Sequence, residues 1–300
     1  MAVGTNVVKR YGSFTALSGA SFTINQGIYR PAGANGAGKT TLLGMFLGLH
    51  QADEGTISVL GVDPYAAGPE IRALLGYAPE HHTLPGDVLA ADFVRHVAEL
   101  HGLPKAEATS RASDALWLVG LGEERFRPMG TMSTGQRQRV KLAQAIAHDP
   151  VLILLDEPTD GLDPVQRTDM LRLIKRVSTD FGINIVLSSH LLDEVEQICD
   201  SAVIIGDGKV LTQGSIDELR GGGSDIIVEL ETAASASAVA QQLHDLGVRH
   251  QLRDRVVVVS GVDESVFDIT RDVCAATGAG IERLSRRRFS LEDVFLEQLG

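Results

Sequence analysis

Along the first two thirds of the chain, short apolar runs alternate with stretches whose apolar residues recur at helical spacing. Val151–Leu155, Ile183–Ser188 and Ala202–Ile205 are rich in Val, Ile and Leu, the pattern of strands buried on both faces, and Ser21–Ile24 and Ile57–Val59 are shorter candidates. Between and after them the spacing predicts helices over Thr40–Leu49, Val88–His101, Thr109–Val119, Gly135–Ala147, Pro164–Thr179 and Leu191–Cys199. Strands alternating with helices imply an α/β fold with a largely parallel sheet.

Asp207-Gly208-Lys209 reads as a hairpin turn before a strand over Val210–Gln213, and Ser215–Leu219 as the start of a short capped helix. Gly221-Gly222-Gly223-Ser224 is the most flexible stretch in composition, so the expected domains are residues 1–220 and 221–300. The second part reads as strand Ile226–Leu230, helix Ala234–Leu246, strands Arg249–Arg253 and Val256–Ser260, helix Glu264–Thr277 and strand Ile281–Leu284. That β-α-β-β-α-β order is the split βαβ arrangement of a small α+β, ferredoxin-like domain. A last helix is expected from Ser290, with Asp293 in its first turn and Phe289 against Val294 as a hydrophobic staple.

Composition agrees with this division. Three hundred residues suit roughly two domains, and apolar and charged shares of 44% and 22% are those of an ordinary globular chain. The balance of 27 basic to 39 acidic residues, a net charge of −12, is shared by both parts and argues against binding nucleic acid. Cys199 and Cys274 have no CxxC spacing or histidine partners, so they read as buried, inert thiols of a reducing compartment. Met1–Gly12 has no signal-peptide core, and no apolar run approaches the roughly 18 residues that span a bilayer.

Two motifs carry chemistry. Gly33-Ala34-Asn35-Gly36-Ala37-Gly38-Lys39-Thr40 matches G-x-x-x-x-G-K-[ST] between an extended segment and a helix. Its glycines let backbone N–H groups turn inward around phosphate, the helix start adds a positive dipole end, Lys39 reaches the β/γ-phosphates and Thr40 suits Mg²⁺. Thr41 follows at the same helix start. At the end of the strand Val151–Leu155, Asp156 and Glu157 point to opposite faces. One carboxylate, Asp156, then serves the metal, while Glu157 polarises the attacking water as general base.

Between these motifs stands Met132-Ser133-Thr134-Gly135-Gln136, similar to the LSGGQ signature of ATP-binding cassette ATPases. The resemblance extends over residues 1–214: Tyr11 lies where that family stacks an aromatic on adenine, Thr159–Pro164 resembles its D-loop, and Ser189-His190 its switch histidine. Tyr11 also has a plain alternative in core packing. The resemblance implies a P-loop cassette with a parallel-sheet core, an antiparallel β part and a helical subdomain. It implies ATP and Mg²⁺ as ligands, and His190 at the γ-phosphate. Ser133, Gly135 and Gln136 would face the ATP of a second subunit, with Asp163 near the junction, so a complete site needs a homodimer.

Two departures stand out. The strand entering the phosphate loop reads Ile28-Tyr29-Arg30-Pro31-Ala32, where proline gives no ladder donor and arginine resists burial, so it is expected to be weakened or interrupted. On that reading Arg30→Gly with Pro31→Leu stabilises the protein or tightens ATP binding. Glu80 occupies the family's Q-loop glutamine position, either near Mg²⁺ or as a solvated loop acid beside the surface residues His81 and His82. Glutamate there, and the ending Leu291–Leu296, resemble the branch that drives ABC-2-type permeases, such as daunorubicin-resistance and sodium-efflux ATPases. Arg286-Arg287-Arg288 reads as a solvated run, with anionic lipid or a partner's acidic loop as the alternative.

The expected function is the ATP-hydrolysing subunit of an exporter, working with a separate membrane permease from the cytoplasmic face. In this family substrate contacts lie in that permease. The competing expectations are a regulatory nucleotide-binding protein with little turnover and a soluble ATPase acting on ribosomes or DNA. No N-K-x-D sequence supports a GTPase.

Overall fold

The computed structural model describes residues 1–33, 36–80, 84–189, 196–219, 224–260 and 264–288. The strands are β1 (Ala2–Tyr11), β2 (Phe14–Ile24), β3 (Ile28–Ala32), β4 (Glu54–Val59), β5 (Leu75–Ala78), β6 (Leu152–Asp156), β7 (Asn184–Ser188), β8 (Ser201–Gly206), β9 (Lys209–Ser215), β10 (Ser224–Leu230), β11 (His250–Arg253), β12 (Val256–Val259) and β13 (Ile281–Arg288). The helices are α1 (Lys39–Phe46), α2 (Pro64–Ala67), α3 (Pro69–Arg72), α4 (Ala90–Leu100), α5 (Lys105–Leu118), α6 (Thr134–Ile146), α7 (Pro164–Phe181), α8 (Ile216–Leu219), α9 (Ala233–Asp245) and α10 (Glu264–Thr277). They form two compact units, Met1–Ile216 and Asp217–Gly300.

The first unit is built on a six-stranded sheet of order β5-β6-β7-β3-β8-β9, parallel except for the β8–β9 hairpin. β6 reads Leu-Ile-Leu-Leu-Asp and is buried at every position, as a central strand covered on both faces must be. A separate antiparallel sheet, β2-β1-β4, lies in the same unit. Phe22 and Ile24 from β2, Leu42, Leu43 and Phe46 from α1, and Leu152, Leu154 and Val186 from the large sheet share one core. α4 and α5 pack together and bury alanine-rich faces, Ala90, Val94 and Ala98 on α4 and Ala108, Ala112 and Leu116 on α5, small enough for close helix packing.

β3 corrects one expectation. It is not interrupted: all five residues are buried, and Tyr29–Ala32 pair in unbroken register with Ser201–Ile204 of β8. Only the β7 side is affected, where pairing covers Ile28 and Tyr29 and stops before Pro31, which has no N–H to offer. Arg30 is buried in the core, and its Nη2 donates to the carbonyl of Ser189, beyond the end of β7, at 2.8 Å. A side-chain hydrogen bond thus joins the two strands where the ladder between them ends.

The edge strand β5 is covered by α6. Gln144 Nε2 donates to Tyr77 O at 3.3 Å, and His148, just past the helix, meets Leu75 O at 3.1 Å. Carbonyls two residues apart face the same side of a strand, so polar side chains on one helix face satisfy an edge that would otherwise invite another chain. The packing is close enough that a Cβ on Gly76 would lie 2.0 Å from the Ala145 carbonyl oxygen.

The second unit has sheet order β11-β12-β10-β13, every pair antiparallel, with α9 and α10 as its helices. This is the ferredoxin-like arrangement expected from the element order. Its core includes Val228, Leu230, Val239, Leu243, Val257, Val259 and Cys274. β13 runs four residues beyond the expected Leu284, so the backbones of Arg286, Arg287 and Arg288 pair with Ile226, Asp225 and Ser224 of β10. The expected final helix from Ser290, most of the Gly221–Ser224 linker and most of the helix Leu191–Cys199 lie outside the described residues.

Candidate nucleotide site

The loop after β3, the end of β6 and the start of α1 meet at a cavity of about 450 Å³, whose lining includes Gly38, Lys39, Thr40, Glu80, Asp156 and Glu157. Chain entry is set by glycine. A Cβ on Gly33 would lie 2.2 Å from the Ile205 carbonyl oxygen, and Gly38, the α1 N-cap, has φ 101° and would meet Ala16 O at 2.5 Å. α1 therefore opens at the cavity with N–H groups that its own helical ladder does not use, which suits an anion. Lys39 is buried, and its Nζ donates to Gly33 O at 2.8 Å, closing the loop on itself. Burial holds this ammonium below its ordinary pKa; the Glu157 carboxylate opposes that shift and the Arg30 charge adds to it.

Opposite stands the end of β6. Burial raises the Asp156 carboxyl above the usual range, the Ser188 hydroxyl donating to its Oδ1 counters this, Glu157 adds to it, and the Thr40 hydroxyl counters it again. Glu157 sits at φ 49°, a conformation rarely adopted by a non-glycine residue. Its N–H donates to both Ser188 O at 3.1 Å and Ser188 Oγ at 3.2 Å, so the end of β7 fixes the strained turn that aims the second carboxylate. Tyr77, beneath, is pushed up to about 12 by burial and by the charges of Asp156 and Glu80.

Lys39, Thr40, Thr41, Gly36, Gly38, Glu80, Asp156 and Glu157 all line this one cavity. Gly33 and Ala37 support the loop, while Ala34, Asn35 and His190 lie outside the described residues. Tyr11 is not in the cavity lining, its half-exposed ring standing edge-on to His50 at 5.7 Å, while Phe14, on the strand that follows, is. Phe14, Asp160 and Ser188 are additions to the sequence reading. An exposed aromatic three residues after Tyr11 was the available signal for the first; the other two depend on tertiary contacts.

Ser133, Gly135, Gln136 and Asp163 also stand outside that lining. Ser133 caps α6 in a capping box: its Oγ accepts from Gln136 N at 3.2 Å and its N–H donates to Gln136 Oε1 at 3.0 Å. Asp163 caps α7, accepting from Gln166 N at 2.9 Å with Pro164 in the first turn.

The family model of ABC transporters matches residues 17–160. The linearmycin resistance ATP-binding protein LnrL of Bacillus subtilis is 30% identical over 312 residues, covering 100% of this chain and 98% of that one. The chain belongs to the ATP-binding proteins of ABC transporters. Similar relatives of this ABC protein include the daunorubicin resistance ATP-binding protein DrrA3 of Streptomyces coeruleorubidus, 31% identical over 97% of this chain and 93% of that one. The methionine import ATP-binding protein MetN of Streptomyces griseus is also 31% identical, over 95% of this chain and 78% of that one. Among solved structures, the dimeric post-hydrolysis state of the cassette MJ0796 bound to ADP and Pi aligns with a TM-score of 0.64 at 25% identity, over 72% of this chain and 98% of that one. The expected α/β cassette and ATPase activity are thereby supported over their competitors.

Among the described residues no helix is long and apolar enough to cross a membrane. Both cysteines are free and buried; burial pushes Cys199 up to about 12 and raises Cys274, so both stay thiols at neutral pH.

Proposed function

We propose that this ABC protein drives export through a separate ABC-2-type membrane permease, acting as a homodimer on the cytoplasmic face of the membrane. The observation that carries the catalytic reading is the convergence of Lys39, Thr40, Asp156 and Glu157 on one cavity. The export reading rests on relatives named for linearmycin and daunorubicin resistance that match over 98% and 93% of their length, while relatives named for methionine import are matched over 75% to 89% of theirs.

In this reading the phosphate loop and the α1 N-terminus cradle the phosphates, with Lys39 at the β/γ end. Thr40 and Asp156 would hold Mg²⁺, with Glu80 nearby. The donor set fits: a hydroxyl and a carboxylate whose ionised form is costly without a cation face the anion cradle. The ion would supply charge neutralisation at the phosphates. Glu157, fixed at the strand end, takes the proton of the attacking water; His190 completes the γ-phosphate contacts. Ser133, Gly135 and Gln136 serve the partner's nucleotide, with Asp163 at the junction, and Tyr11 stacks on the adenine.

Glu157→Gln tests this. Loss of a general base predicts turnover reduced by about 10²–10⁴-fold with ATP binding retained and dimer accumulating in the presence of ATP. Unchanged steady-state ATPase activity removes Glu157 from the mechanism.

A further inference from the structure

A buried lysine on α6 is not used by the functions assigned so far. Lys141 is 8% exposed, and its Nζ donates to Glu80 O at 2.7 Å and Pro79 O at 3.1 Å. One helical turn earlier on the same face, Gln138 Nε2 donates to Asp160 O at 3.2 Å. Glu80 and Asp160 both line the nucleotide cavity, on separate loops, and both loops are thereby held by the helix that Ser133 caps. A flexible lysine is costly to bury and order, and a chain of four methylenes would ordinarily carry its charge to water. Here the ammonium is turned inward. Burial lowers its pKa, while the carboxylates of Asp160 and Glu80 oppose that shift, so the charge sits in the field of the two acids whose loops it and Gln138 hold.

We infer that Lys141 is a positioning residue: it fixes the Glu80 loop to the signature helix, so that the placement of the Glu80 carboxylate at the nucleotide cavity is set by α6. The inference rests on the role proposed for Glu80 toward Mg²⁺ and assigns that role's geometric control. Any shift of α6, for instance when Ser133 engages a second subunit, then moves Glu80 with it.

The test uses the full chain and four variants: Lys141→Met, Lys141→Arg, Glu80→Ala and the Lys141→Met/Glu80→Ala double. Two readouts are needed: the ratio of nucleotide Kd without and with Mg²⁺, and kcat per bound nucleotide site. Lys141→Met is expected to reduce the Mg²⁺-dependent gain in affinity and kcat by about tenfold or more, the scale of a lost charge-assisted hydrogen bond, while Mg²⁺-free nucleotide binding changes less than about threefold. Lys141→Arg, which keeps charge and donors, recovers most of the loss. In the Glu80→Ala background Lys141→Met has no further effect, because its consequence passes through the missing carboxylate. Equal losses in both backgrounds, or a fall in Mg²⁺-free binding as large as in kcat, overturn the inference and leave Lys141 as general scaffolding. Normal Mg²⁺ dependence in Glu80→Ala instead removes the underlying reading of Glu80. If Lys141→Met does not fold, Lys141→Gln, which keeps a shorter donor, carries the same comparison.

Discussion

Ser188→Ala isolates the group on which both acids at the end of β6 depend. The Ser188 hydroxyl is fully buried, donates to Asp156 Oδ1 and accepts from the Glu157 N–H. The second contact is partly redundant, because Glu157 N also donates to Ser188 O at 3.1 Å. The loss is therefore dominated by the bond to the carboxylate, about 1.5–3 kcal/mol for a hydrogen bond to a charged group. For a unit of this size that is a fall in Tm of about 3–12 °C. Its pH dependence identifies the cause. Burial already raises the Asp156 pKa, so this group's contribution to stability is greatest below the unfolded carboxylate range and declines as pH rises through the folded pKa. Removing the hydroxyl raises that pKa further and extends the decline upward. The deficit of Ser188→Ala should then be largest at neutral pH and shrink as Asp156 takes up its proton, when only a neutral hydrogen bond of about 0.5–1.5 kcal/mol is at stake. Melting curves from neutral pH down into the ordinary carboxylate range without nucleotide, with Ser188→Thr as the hydroxyl-retaining control, measure this. The acid limb of Mg²⁺-dependent ATPase activity should also move to higher pH. A deficit that is the same at every pH, with an unmoved acid limb, would refute the reasoning.

Gly76→Ala places a methyl 2.0 Å from the Ala145 carbonyl oxygen, where neither β5 nor α6 has a flexible side chain to yield, and should cost about 3 kcal/mol or more in urea denaturation. Arg30→Gly removes a long buried side chain and its bond to Ser189 O, so it should lower stability by about 2–5 kcal/mol, as large-to-small core changes do. A higher Tm in that variant would mean that burying the cation costs more than its contacts return.

What was legible in the sequence follows from where the physical constraints are local. The phosphate loop was legible because a Cβ on Gly33 or Gly38 would lie 2.2 or 2.5 Å from a backbone oxygen, which leaves no choice of residue, and β6 because burial on both faces demands an unbroken apolar run. β1 was missed, and β2 was recognised only over its last four residues. Half-exposed antiparallel strands carry a weaker pattern, and register shifts at Gly4, Val7 and Lys9 break the alternation on which the reading relied. β5 was missed for another reason: Leu75–Ala78 is short, and its outer edge is completed by Gln144 and His148, more than sixty residues away.

The Arg30-Pro31 expectation of a weakened or interrupted strand holds only for the β3–β7 ladder, because each residue was judged by its own intrinsic preference. Proline forbids a ladder bond only on the side its nitrogen faces, and β8 lies on the other side. Arginine is costly to bury only without acceptors, and the early end of the β3–β7 ladder leaves the Ser189 carbonyl within its reach. The pair therefore behaves as one matched substitution. Lys141 follows the same logic on α6: read alone it is a surface lysine on a helix, and only the carbonyls of Pro79 and Glu80 explain why it is buried. In both places a cation that sequence preference puts in water instead ends on the backbone carbonyl of a segment bordering the nucleotide cavity. These features therefore concern how rigidly the catalytic parts are held, and they are found by asking which carbonyls lack a ladder partner.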